Sequence, residues 1–191
     1  MKELISICTF LLGSVLSFAQ GDNNQFNFDK EDFQNIFEEQ GIHTFKYPID
    51  VKNGDYVNFE IETYFKGKLV DAQSMKEALD EVFGGDTRSY ISSRKDTTIL
   101  YRLYFFEIED SIKVKIASPG AKLPFKVSSY GIKYFSSNSR TDKIEQLLSR
   151  TELAFLYGNI NGKVDCTTGA PLSTLLKEVD FLMMVYASPP K

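Results

Sequence analysis

Tryptophan is absent from this chain, histidine occurs once, and cysteine occurs twice. Each scarcity excludes something. One imidazole and two thiols cannot build a zinc centre without several carboxylates, and two cysteines cannot brace a disulfide-dense miniprotein. Runs of Lys or Arg are missing as well. With 22 Lys and Arg against 26 Asp and Glu, the net charge is −4. A chain so balanced has little of the positive field that phosphate backbones and anionic lipid require, so nucleic acid is not expected as a partner. The patterns GxGxxG, GxxxxGKS/T and GxSxG do not occur, which leaves dinucleotide, P-loop and α/β-hydrolase chemistry without support. Internal repeats and low-complexity linkers are missing too. What remains is 42% hydrophobic, 25% charged and 14% aromatic, the composition of a folded globular domain.

The first residues, MKELISICTFLLGSVLSFAQ, resemble a bacterial export signal. Lys2 supplies a charged start, and Leu4 to Leu16 is apolar without a charge. Ser17-Phe18-Ala19 puts small residues at the two positions that a signal peptidase reads. The pattern predicts a signal peptide over 1–19, cut after Ala19 to leave Gln20 as the new N-terminus. The apolar stretch is too short to span about 30 Å of hydrocarbon. Cys8 lies inside it rather than at its end, so lipidation is not expected. No second long apolar run follows, which predicts a soluble protein with no membrane span after cleavage, in the periplasm or outside the cell. Loss of Cys8 leaves Cys166 as the one thiol and rules out an intramolecular disulfide. Stability must then come from an ordinary core.

Residues 20–27 are polar and read as a flexible arm, with a single globular domain over 28–191. Asp29, Asp32 and the Phe28/Phe33 pair write a helix start, and Gly41 ends that helix. Lys46 to Val51 reads as a short strand broken by Pro48. From Tyr56 to Phe65, Val57, Phe59, Ile61 and Phe65 alternate with Asn58, Glu60 and Glu62, a half-buried strand. Ser74 and Glu77 form a capping box for a second helix over Ser74–Phe83. Thr97 to Glu107 is apolar and aromatic on both faces and reads as a central strand. Ile112, Val114 and Ile116 alternate with lysines, and Leu123, Phe125 and Val127 do so beside Pro124, which points to an edge. Ile132–Phe135 and Leu153–Tyr157 are further strands. Thr141–Arg150 and Pro171–Val179 read as helices, and Phe181–Ala187 as a buried closing strand. The elements predict an α+β, β-rich fold: a mostly antiparallel sheet or β-sandwich decorated with about four short helices.

Chemistry-bearing residues are few. Cys166 and His43 allow one thiol–imidazole pair, in which the base would take the thiol proton; a buried Cys and a surface loop His are the simpler expectation. Glu60 and Glu62 share one strand face, and Glu107 and Glu109 repeat the spacing. A glycosidase needs two carboxyls about 5–9 Å apart across a cleft, whereas a solvated strand face explains the same spacing. Asp22, Asn24, Asp29 and Asp32 fail the calcium-loop pattern, because Phe26 takes a ligand place and the glycine is missing. Asn159, Asn161 and Asp165 surround Gly162 and read as a hairpin turn. No catalytic, metal or cofactor residue is assigned. Tyr64, Tyr101, Tyr104, Tyr130 and Tyr134 fall on strands or their ends, where tyrosines stack on sugars or anchor a protein; the lack of Trp weakens the sugar option.

The function expected from these features is an exported binding or structural domain without catalysis, acting in the cell envelope or outside the cell on a protein or envelope component. The alternative is an exported hydrolase using a carboxylate pair or Cys166 with His43. Oligomeric state is not legible.

Overall fold

The computed structural model describes residues 36, 37, 39–78, 95–118, 121–141, 144, 147–162 and 169–189. The expected leader over 1–19, the arm over 20–27, the helix start at Asp29, and Cys166 with Asp165 lie outside them. Nine strands occur among the described residues: β1 (Ile42–Val51), β2 (Asn58–Phe65), β3 (Lys68–Ser74), β4 (Thr97–Ile108), β5 (Ser111–Ser118), β6 (Ala121–Ser128), β7 (Phe135–Ser139), β8 (Thr151–Gly158) and β9 (Phe181–Ser188). They form a four-stranded sheet in the order β1-β4-β5-β6 and a five-stranded sheet in the order β3-β2-β9-β8-β7. Every neighbouring pair is antiparallel. No helix among the described residues is long and apolar enough to cross a membrane.

Strand alternation explains the arrangement. Successive side chains point to opposite faces, so Tyr47, Ile49 and Val51 of β1 and Leu103 and Phe105 of β4 face inward with Ile112, Val114 and Ile116 of β5. Phe59 and Ile61 of β2 and Phe181, Met183 and Val185 of β9 meet them in one core. Phe59 stacks at a tilt on Tyr101, 4.9 Å between ring centres, joining the two sheets. The core is thus built where two half-apolar sheets close on each other, the least costly way to bury such faces.

Pro48 does not shorten β1. The strand runs through it because β1 is an edge, where a missing ladder donor is tolerated. Pro124 sits on the opposite edge, in β6, as expected. β9 is buried along its whole length. Its inner side chains enter the core, and its outer ones, Leu182 and Met184, pack with Phe155 and Tyr157 of β8 beneath α1 (Leu172–Glu178), which drops the buried Leu175 onto them.

The helical complement is smaller than the sequence suggests. Besides α1, helical residues occur at Ile36, Phe37 and Glu39 and at Met75–Ala78, so "about four helices" is not matched. The clearest correction is Thr141–Arg150. Its described residues are not helical, and Ile144 instead bridges Ile49 of β1 in parallel. Burying Ile144 at a sheet edge outweighs a helical spacing that would have left Leu148, 75% exposed here, on the same stripe. The strand expected at Ile132–Phe135 lies further along, at Phe135–Ser139.

Candidate functional site

The outward face of the four-stranded sheet follows from the same alternation. Cross-strand pairing sets out three rows: Lys46–Arg102–Ala117–Lys122, Thr44–Tyr104–Lys115–Pro124 and Ile42–Phe106–Lys113–Lys126. Six of these twelve positions are Lys or Arg and none is Asp or Glu. None of the twelve is buried. Neighbouring strands lie about 4.8 Å apart and rows about 7 Å apart, so the patch measures roughly 14 by 14 Å between outer Cα atoms. Two aromatic rings lie along β4, one of its two inner strands. Tyr104 and Phe106 are stacked, 6.0 Å between centres and 19° between planes, and the Lys115 ammonium stands 5.6 Å from the Tyr104 ring centre. Among the described residues none of the six cations forms an ion pair. Acidic groups are confined to the ends of the sheet: Asp50, held by the Thr98 hydroxyl at 2.6 Å, and Glu109 and Asp110 in the β4–β5 turn.

The outward face of the other sheet is the opposite case. Its cations are engaged internally. Arg150, just before β8, donates from Nε to Glu60 at 2.7 Å and from Nη2 to Glu62 at 2.6 Å, and its guanidinium lies 3.5 Å over the Tyr186 ring. Arg140, just after β7, pairs with Glu152 at 3.2 Å and lies 4.7 Å over Phe155. The Tyr64 hydroxyl donates to Glu62 at 2.6 Å. Burial works to raise the Glu62 pKa, but the Tyr64 bond and the Arg150 charge outweigh it and hold the carboxyl below the usual range. Burial and the bond to Glu62 push Tyr64 up to about 12. Glu60 and Glu62 are thus brought together, as their spacing implied, and clamped by one arginine. A cleft lined by Asn58, Glu60, Glu62, Gln73, Lys76 and Arg150 opens beside them.

His43 is not a surface loop residue. It lies on β1, 4% exposed, where β1 and β7, the edges of the two sheets, meet. Its Nε2 is 3.1 Å from Glu107 and its Nδ1 is 2.9 Å from the Ser137 hydroxyl. With Nε2 donating to the carboxylate, Nδ1 accepts from the serine, a Ser–His–Glu sequence of donors and acceptors. Gly41 makes room for it. Its φ of +67° is left-handed, and a Cβ there would lie 2.9 Å from the Glu107 Cβ. Further along the same seam, the Tyr47 hydroxyl donates to the Leu153 carbonyl at 2.9 Å and meets Ser139 at 3.1 Å. Two successive polar contacts therefore lace one edge of the molecule. Glu109 does not join Glu107; it occupies a left-handed turn at φ +46°.

The remaining candidates serve the fold. Tyr101 is buried and points into the core. Tyr130 stacks on Phe65, 4.9 Å between centres. Tyr134 is the exposed one, at 58%. Asn159 accepts from the Asp180 amide at 2.6 Å and donates to the Glu178 carbonyl at 3.3 Å, tying its turn to the end of α1. The sequence shows Lys113 and Lys115 as the polar side of one strand, but their grouping with Lys46, Arg102, Lys122 and Lys126 is spread over four strands. Their common signal is parity: each occupies the strand position opposite the apolar set.

Comparison with protein-family models, with curated proteins and with solved structures gave no match.

Proposed function

We propose that this chain is an exported, non-catalytic binding domain of β-sandwich form, whose contact surface is the outer face of the β1-β4-β5-β6 sheet. The supporting observation is the concentration of six cations without ion-pair partners among the described residues, on a chain whose net charge is −4. Cations spread for solubility alternate with anions; cations gathered on one face attract a polyanion and speed its approach. Export rests on the leader-like residues 1–19 and places the partner in the periplasm or outside the cell. The test is co-sedimentation with a cell-envelope fraction. Wild type sediments with the envelope, and a Lys113→Glu/Lys115→Glu/Lys126→Glu variant stays in the supernatant. Equal sedimentation of the two would refute the assignment of the face. N-terminal sequencing of exported protein starts at Gln20; intact Met1 on protein held in the cytosol would refute the export.

A second reading rests on Ser137, His43 and Glu107. Their polarity is that of an acyl-transfer nucleophile with its base. Turnover of a small ester that disappears in Ser137→Ala would favour it; an equal background rate in both proteins leaves the contact as a fastening between sheet edges.

A further inference from the structure

We infer that the ligand of the β1-β4-β5-β6 face is an acidic polysaccharide, a chain of sugar rings bearing carboxylates; this rests on the assignment of that face as the binding surface. Three observations select it.

The first is the chemistry of the cations. Five of the six are lysines and one, Arg102, is an arginine. Arginine offers the fork that grips phosphate oxygens in pairs, whereas lysine is a compact point charge with no preferred plane. A lysine field suits single charges spaced along a flexible polymer better than a phosphodiester ladder. The second is spacing. The three charged rows lie about 7 Å apart along the strands, and Lys113 and Lys115 of β5 flank the ring pair of β4 on one side. An extended polymer running along the strands meets a charge in each row. The third is the ring pair itself. Tyr104 and Phe106 form a stacked apolar strip along β4, beside Lys113 and Lys115 of β5, and Lys115 poised over Tyr104 keeps an ammonium beside the ring. Sugar rings have apolar C–H faces that settle on such a strip while their carboxylates reach the lysines. A lipid bilayer would meet the lysine tips first and leave the mid-strand rings unused.

The experiment is calorimetric titration of the full mature chain with polygalacturonate, with dextran as the neutral control, and with an oligothymidylate and phosphatidylglycerol vesicles at equal charge concentration. Polygalacturonate binds and dextran does not. Log K falls linearly with log salt, and Lys113→Ala makes that slope shallower by roughly one. Tyr104→Ala weakens binding about two- to tenfold with the salt slope unchanged, and Tyr104→Phe restores it. Circular dichroism of each variant confirms folding. Tighter binding of oligothymidylate or vesicles than of polygalacturonate overturns the inference, as does wild-type affinity in Tyr104→Ala. In either event, loss of envelope sedimentation in the charge-reversed variant still upholds the face. If sedimentation is also indifferent to charge reversal, both fall together.

Discussion

Replacing Arg150 by Ala separates the contributions gathered on the outer face of the five-stranded sheet. The side chain makes two ion pairs, at 2.7 and 2.6 Å, with carboxylates whose side chains are 21% exposed, and it covers the Tyr186 ring. Pairs this wet contribute about 0.2–1 kcal/mol each. A guanidinium over a ring at the surface adds about 0.5–1 kcal/mol. The variant should therefore lose about 1–3 kcal/mol at neutral pH, and each kcal/mol lowers Tm by about 2–4 °C in a domain of this size. The pH dependence carries more information than the size. The Glu62 pKa is depressed in the folded protein. A depressed carboxylate stabilises above its unfolded pKa, and that stability is lost as pH falls through the folded value. The gap between wild type and Arg150→Ala should then be full at pH 7 and shrink as pH falls below the ordinary Glu value of 4.5 and through the depressed folded one. Urea titrations at pH 7, 4 and 3 measure it. Adding Glu60→Gln and Glu62→Gln to Arg150→Ala should recover part of the loss by removing two unpaired like charges. A gap at pH 3 equal to that at pH 7 would refute the ion-pair account.

Two further outcomes follow from buried groups. Burial pushes the Tyr101 hydroxyl up to about 12. The folded state keeps that proton while the unfolded chain loses it near 10, so about 2–3 kcal/mol of stability drains away between pH 10 and 12. The last part of the phenolate absorbance rise should coincide with unfolding; ionisation of every tyrosine near pH 10 with the fold intact would count against it. The Thr63 hydroxyl is buried on the core side of β2 and has no hydrogen-bond partner among the described residues. Thr63→Val should stabilise by about 1 kcal/mol, read as a higher urea midpoint with an unchanged m-value; a lower midpoint would mean the hydroxyl is satisfied.

Much of the framework was legible because alternation is a local signal. Tyr56–Phe65 showed its inner face at Val57, Phe59 and Ile61, and Phe181–Ala187 showed a strand covered on both sides. β7 was not legible. Its sequence, Phe135-Ser-Ser-Asn-Ser139, has no apolar period, because an edge strand needs only one apolar anchor to pair with β8. Thr141–Arg150 carried a helical period that burial of Ile144 overrode. The candidate site was hidden for another reason. Its cations come from four strands, so no window along the chain holds more than a few of them. His43 had a readable place, since His43, Phe45, Tyr47, Ile49 and Val51 share one parity, but Pro48 broke the expected strand before the pattern reached it.

Among the described strands β9 is the last in sequence order, yet it lies in the middle of its sheet, between β2 and β8. A growing polypeptide has therefore made the other described ribbons before the one that joins them exists. Until residue 188 leaves the ribosome, β2 and β8 each present a bare ladder, and the long-range pairing that closes the domain must wait, a topology expected to fold slowly. If the chain is exported as proposed, that delay keeps it threadable through a narrow channel until it reaches the far side.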